Sequence, residues 1–263
     1  MSKIKVTILG SGAAPGVPSI GHGWGACNPD NPKNIRSRTG TYLEFGETKL
    51  LIDTSPDIRA QMLNNKIGAV NGILYTHSHS DHVGGIDEMR ELNRLTHKNV
   101  DIFCTQDTYN NINHRYGYLI NHEQEARNVM LFPSLYPNII ENYNRFTINS
   151  VDITPVKMSG HSVETNGFVF NNGQIVYLAD FKSVDEEVYE QIKVQPELLI
   201  IPCTNQFGAT YHATLDEVKE VINKINPKQA IINHMAIEND YDFMNENTDN
   251  RTFAGYDNMT IEL

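Results

Sequence analysis

The chain has 263 residues, enough for one large domain or two small ones, and its 40% hydrophobic and 20% charged residues are the balance of an ordinary globular protein. No stretch approaches the run of about 20 apolar residues that a membrane span requires, and 32 acidic against 21 basic residues leave a formal net charge of −11. That acidity excludes a broad basic face for gripping long nucleic acid or an anionic membrane; if the substrate is an anion, something local must overcome the field.

Lys3 to Leu9 alternates with period two and predicts a strand. No basic-then-apolar segment precedes it, so no export signal is read and a cytoplasmic location is expected. A glycine- and proline-dense loop follows from Gly10 to Gly25. Gly10, Gly12 and Gly16 after a strand suggest a dinucleotide fingerprint, but Pro15 and Pro18 stand where its helix would begin. Paired strands are predicted at Gly40 to Phe45 and Lys49 to Asp53, then a short helix at Asp57 to Asn64 behind Pro56.

Gly72 to Tyr75 is a short apolar strand that ends directly on Thr76-His77-Ser78-His79-Ser80-Asp81-His82, and a helical stretch runs from Ile86 to His97. A strand at 101–104 and a helix at 106–115 lead into 116–145, which has no clear period and is expected to form an insertion or a lid on the substrate side. Phe146 to Lys157 alternates again, and Phe168 to Phe170 and Gln174 to Leu178 flank the hairpin signal Asn171-Asn172-Gly173. Leu198 to Pro202 reads as a buried strand and Asp216 to Ile225 as an amphipathic helix with Thr214 as N-cap and Glu217 three residues on. Gln229 to Asn233 is a last strand, ending on His234. There is no linker and no repeat, so one domain over 1–263, two sheets with helices outside, is the economical organisation. The widely spaced Cys27, Cys104 and Cys203 fit reduced, buried thiols better than a disulfide framework.

The chemistry is concentrated in His77, His79, Asp81 and His82, four potential ligands within six residues. Side chains on a regular strand alternate and cannot all face one point, but in a tight loop His77 and His79 can share one metal while Asp81 and His82 turn toward a second. Gly84-Gly85 would let that loop fold back closely.

This string, T-H-x-H-x-D-H followed by G-G, resembles the signature of the metallo-β-lactamase superfamily of metal-dependent hydrolases. The resemblance implies an α/β (α+β) fold, a four-layer αββα sandwich, and three further ligands at strand ends: His161 in Ser159-Gly160-His161-Ser162, Asp180 closing Tyr177-Leu178-Ala179-Asp180, and His234 after Ile231-Ile232-Asn233. The implied set is His77, His79 and His161 on one metal, Asp81, His82 and His234 on the other, and Asp180 between them. Imidazoles and carboxylates suit zinc, manganese or iron. Two such ions about 3.5 to 4 Å apart share a water, bring its pKa near 7 and stabilise attacking and leaving oxygens. Asp81 and Asp180 offset half of the four positive charges, which leaves the site locally cationic. Asp53, in Leu51-Ile52-Asp53-Thr54-Ser55-Pro56, resembles the family's first-motif aspartate and is expected to orient the histidine loop through hydrogen bonds.

Fold alone does not settle substrate. Gly10-Ser11-Gly12, Gly16-Val17-Pro18, Pro32, Asn34, Arg36, Arg38, Asp53 to Asp57, Gly85 to Arg90 and Ala254-Gly255-Tyr256-Asp257 resemble the branch holding the cyclic-phosphate phosphodiesterases of phosphonate breakdown, a branch related to the transfer-RNA 3′-processing nucleases. The resemblance covers nearly the whole chain and weakens between about 110 and 145. It implies a dinuclear phosphodiesterase for a small cyclic or nucleotide-like phosphodiester, with Asp81 and His212 in the catalytic machinery, His212 acting on the leaving group or the phosphorane. A homodimer is expected by the same analogy. Arg36 and Arg38 are expected to clamp phosphate, or else to be solvated surface arginines, and His22 to line the pocket. Only Cys27 stands in Gly21 to Cys27, so the structural zinc that some members carry there is not expected. The rival readings are a structured-RNA nuclease, disfavoured by the acidity, a thioesterase or lactonase using the same metals, and a metal- or nucleotide-binding sensor without catalysis.

Overall fold

The alternating segments fold as strands of two facing sheets in a computed structural model that describes residues 3–121, 135–207 and 210–263. The first sheet holds β1 (Ile4–Gly10), β2 (Gly40–Phe45), β3 (Thr48–Ile52), β4 (Gly72–Leu74), β5 (Val100–Cys104) and β6 (Leu135–Ile139). The second holds β7 (Phe146–Ile148), β8 (Val151–Met158), β9 (Thr165–Phe170), β10 (Ile175–Tyr177), β11 (Leu198–Pro202), β12 (Gln229–Asn233) and β13 (Thr252–Ala254), and β14 (Met259–Glu262) returns to the first sheet beside β1. The helices are α1 (Ile58–Asn64), α2 (Ser80–Val83), α3 (Arg90–Thr96), α4 (Gln106–Tyr116), α5 (Glu186–Glu190), α6 (Leu215–Ile225) and α7 (Tyr241–Glu246). None among the described residues is long and apolar enough to cross a membrane.

Strand periodicity explains the layers. Successive side chains point to opposite faces, so Leu50 and Ile52 of β3 enter the core between the sheets while Leu51 packs outward with Ile58 of α1. In β11, Leu198 and Ile200 face inward, and Leu199 and Ile201 meet Val218, Ile222 and Ile225 of α6. Both faces of both sheets are thus covered, giving an αββα sandwich. Helix α6 begins with a capping box, the Thr214 hydroxyl accepting from Glu217 N–H at 3.3 Å while the Glu217 carboxylate accepts from Thr214 N–H at 2.7 Å. Cys27, Cys104 and Cys203 are buried free thiols; burial pushes those of Cys104 and Cys203 up to about 12.

Pairing direction sets the location of the site. β3, β4, β5 and β6 run parallel to one another, as do β10, β11, β12 and β13. β8 is antiparallel to β9 and β9 to β10, so β8 shares the direction of β10. The carboxyl ends of these strands form one edge, where crevices in such sheets open.

Three expectations are corrected. Residues 116–145 are not wholly aperiodic: Leu135–Ile139 is the edge strand β6, hidden by Pro137 and by burial confined to one end. The remainder of the expected insertion includes 122–134, which lie outside the described residues. The run from Phe146 to Lys157 is a hairpin, β7 and β8, turning at Asn149 with φ of 52°. Asp81 and His82 sit in the one-turn helix α2 and not in open loop.

Candidate metal centre

Each candidate ligand follows a strand at the shared edge. β4 leads to His77, His79 and α2; β8 leads to His161, β10 to Asp180 and β12 to His234. Gly85 lets the first of these loops turn back, since its N–H donates to Thr54 O at 2.9 Å and a Cβ there would lie 2.1 Å from Ser55 O. The loop is pinned to the second sheet by Asn166 N–H, which donates to Thr76 O at 2.9 Å. Asp53 and His234 adopt left-handed backbone, φ 61° and 52°; for non-glycine residues this costs on the order of 1–3 kcal/mol and is sustained where surrounding structure demands it.

Four overlapping groups of ligand atoms converge among the described residues, the atoms of each within 4.8 Å of one another: His77, His79 and His161; Asp81, His82 and His234; and, sharing Asp180, His77 with His82 and His161 with His212. In the first, His77 Nε2 and His161 Nε2 each lie 3.1 Å from His79 Nδ1. Tetrahedral ligands about 2.05 Å from a zinc ion would sit roughly 3.3 Å apart. In the second, Asp81 Oδ2 lies 3.4 Å from His82 Nε2 and 3.3 Å from His234 Nε2. Asp180 stands between the groups, Oδ2 being 3.8 Å from His82 Nε2 and 3.9 Å from His161 Nε2.

A hydrogen-bond inventory fixes the tautomers. Asp53 is fully buried; Oδ1 accepts Thr76 N–H at 2.8 Å, and Oδ2 accepts the Thr76 hydroxyl at 2.8 Å and His82 Nδ1–H at 2.7 Å. The Thr76 hydroxyl proton being used on Asp53, its oxygen accepts from His77 Nδ1–H at 2.9 Å. His77 therefore presents an Nε2 lone pair to the centre, and His82, held through Nδ1, turns its Nε2 toward it.

Electrostatics ask for a cation there. Burial, then neighbouring His82, His79 and His161, hold His77 well below the ordinary histidine range, keeping it neutral. Burial works against charge on His82 too, but Asp81 and Asp53 outweigh it and hold its pKa well above the ordinary histidine range. Burial would likewise lift Asp81 and Asp180, yet the surrounding histidines hold both carboxyls low and ionised. His82 Nε2 and Asp180 Oδ1 are buried without a hydrogen-bond partner among the described residues. Unpartnered buried donors and acceptors of this kind are rare unless an ion or ligand takes them up, and the donor set fits divalent metal.

A cavity of about 390 Å³ opens over the cluster, its wall including His22, Ile20, Tyr211, His212 and Glu238. Among the described residues no lysine or arginine lines it. His212 Nδ1 lies 3.2 Å from the Thr204 hydroxyl, and burial pushes the ring's pKa down.

The two arginines expected to clamp phosphate are elsewhere. Arg36 is buried, donating to Asn239 O at 2.7 Å and Asn34 Oδ1 at 3.1 Å, and so braces the loop after β12. Arg38 pairs with Asp57 at 3.0 Å. Thr76 and Thr204 were not singled out from sequence, although one lies within the histidine string and the other two residues beyond the end of β11, the position type that marks Asp53, Asp180 and His234.

The sequence model of the Beta-lactamase superfamily domain matches residues 48–235. A curated relative, the octanoyltransferase of Porphyromonas gingivalis, is 25% identical over 235 residues, 89% of this chain but 46% of that protein, so the chain spans about half of its length. Among solved structures, a diphosphatase of the PhnP family superposes with TM-score 0.88 and 25% identity over 99% of this chain and 97% of that one. Zn(2+)-bound PqqB from Methylobacterium extorquens superposes with TM-score 0.77 and 18% identity over 98% and 100%.

Proposed function

We propose, from the premise that this chain belongs to the metallo-β-lactamase superfamily, that it is a metal-dependent hydrolase whose substrate is a small phosphodiester, cyclic or nucleotide-like. The observation that carries this is the set of convergent ligand groups beneath a cavity of about 390 Å³, a small-molecule volume. His77, His79 and His161 would hold one divalent ion, zinc or manganese, and Asp81, His82 and His234 a second, with Asp180 reaching both. When bound, the ions supply Lewis-acid polarisation of a phosphoryl oxygen and a water acidified to a pKa of about 7.

The chain's own groups do the rest. Asp81 and Asp180 place two negative charges against the four of two divalent ions, so an anion is attracted despite the protein's acidity. The cavity wall carries Glu238 and no cationic side chain among the described residues, which favours a singly charged diester over a polyanion and speaks against an extended RNA. His212, on the wall beside the centre, donates from its ring N–H to an oxygen of the reacting phosphate as charge develops there. The likeness to a PhnP-family diphosphatase over nearly all of both chains supports hydrolysis at phosphorus.

A second reading, thioester hydrolysis, is favoured by one observation: the longer relative bears an octanoyltransferase name. One assay separates the two. Protein supplemented with zinc or manganese is given bis-p-nitrophenyl phosphate, a nucleotide 2′,3′-cyclic phosphate, an octanoyl thioester and a lactone, before and after chelation. Phosphodiester turnover that chelation abolishes is the expected result, with Asp180→Ala inactive; thioester turnover alone would replace the substrate class while keeping the site.

A further inference from the structure

The hydroxyl of Thr204 stands between two histidines of different duty, 2.9 Å from His234 Nδ1 and 3.2 Å from His212 Nδ1. A hydroxyl has one proton to give, so it cannot donate to both rings. Its direction is decided by His234. The other nitrogen of that ring, Nε2, is the one beside Asp81 in the ligand group, and a ligating imidazole keeps its proton on the opposite nitrogen. His234 Nδ1–H therefore donates to Thr204, and the Thr204 hydroxyl donates to Nδ1 of His212. Asp180 Oδ1 lies 3.4 Å from His234 Nδ1 without a hydrogen bond between them, so this direction stands.

We propose that Thr204 is a positioning residue that donates to Nδ1 of His212 and so directs the ring's proton to Nε2, so that His212 presents an N–H donor, and not a lone pair, to the substrate phosphate. The inference rests on the reading of His212 as the group that stabilises charge on the reacting phosphate. No proton leaves His212 in this role: the ring donates a hydrogen bond from Nε2 and keeps its proton, and the departing oxygen takes its proton from water.

Thr204 is itself fixed. Asn239 Nδ2 donates to Cys203 O at 2.6 Å and to Thr204 O at 3.1 Å, Ala236 N–H donates to Thr204 O at 3.2 Å, and Arg36 holds the Asn239 carbonyl. The buried arginine thus supports the loop that places the hydroxyl, which accounts for its position away from the cavity. The same device orients the other ligand loop, where Asp53 directs His77 through the Thr76 hydroxyl.

The test is the tautomer itself. In zinc-loaded protein with ¹⁵N-labelled histidine, long-range ¹H–¹⁵N ring correlations, assigned with His212→Gln, are expected to show His212 unprotonated on Nδ1 and protonated on Nε2. Thr204→Val should populate the Nδ1–H form at unchanged zinc content, and Thr204→Ser should restore the native pattern. On a diester with a poor leaving group, kcat of Thr204→Val should fall by about 10-fold or more with KM little changed, part of the 10²–10³ that a lost donor costs. A His212 protonated on Nδ1 in the wild-type protein overturns the proposal outright, whether or not the valine variant folds, and so does a Thr204→Val spectrum identical to wild type. The native tautomer together with full rate in His212→Ala would instead overturn the role assigned to His212, leaving the hold of Thr204 on it standing.

Discussion

Replacing Asp53 by Asn tests how far the centre depends on a residue that touches no substrate. The carboxylate accepts three hydrogen bonds at 2.7 to 2.8 Å with no solvent exposure. An asparagine amide offers one oxygen and an NH₂ that only donates, so whichever way it is placed at least one of Thr76 N–H, the Thr76 hydroxyl or His82 Nδ1–H faces another donor. A hydrogen bond to a charged group is worth about 1.5–3 kcal/mol, and loss of a partner that orients a ligating histidine typically costs about 10–100-fold in metal affinity, or about 1.4–2.7 kcal/mol. The two estimates agree. Asn also tolerates the left-handed backbone at this position, so the change isolates the hydrogen bonds from backbone strain. Asp53→Ala adds that strain, on the order of 1 kcal/mol. Competition titration against a fluorescent zinc chelator should show binding at the centre weakened about 10–100-fold in Asp53→Asn, with metal-free melting falling further in Asp53→Ala. Zinc affinity in Asp53→Asn within about twofold of wild type would refute the claim that this carboxylate orients His82 and Thr76.

Arg36→Met should lower stability by roughly 3 kcal/mol or more, from two hydrogen bonds of a charged group at about 1.5–3 kcal/mol each; denaturant melts with unchanged stability and a raised KM would return Arg36 to a phosphate clamp. Arg38→Ala removes a partly exposed ion pair with Asp57 and should change stability by less than about 1 kcal/mol, with KM for the diester unaltered; a several-fold rise in KM would contradict its placement outside the cavity. Gly85→Ala puts a methyl 2.1 Å from Ser55 O and 2.5 Å from Ile58 Cγ2, so a loss of about 1–3 kcal/mol is expected, together with weaker zinc binding because the displaced loop carries His82. A melting curve superimposable on wild type would show that the loop yields freely.

Much of this molecule was legible before any coordinates. Period-two runs marked most strands, and Thr214 with Glu217 marked the start of α6 correctly, because alternation and capping are local properties of consecutive residues. Strand β6 escaped because an edge strand buried on one end, with Pro137 in its middle, has neither strict alternation nor an apolar run. Arg36 and Arg38 were misplaced for another reason: a guanidinium near a glycine-rich loop reads the same whether it faces a cavity or is buried against Asn34 and Asn239.

The histidine string, and the strand-end positions of His161, Asp180 and His234, were determined by the sequence, since adjacency within a loop and the end of an apolar run are both written in order along the chain. What only the tertiary structure decided is which lone pairs meet. His234 and Asp81 are 153 positions apart yet 3.3 Å from each other, brought together by two sheets whose parallel strands end at one edge. The proton on each ring is set in the same way, by Asp53, Thr76 and Thr204, ordinary residues whose meaning comes from the side chains folded against them. Periodicity records which face of an element is buried; it does not record what stands opposite, and the chemistry of this site is made of what stands opposite.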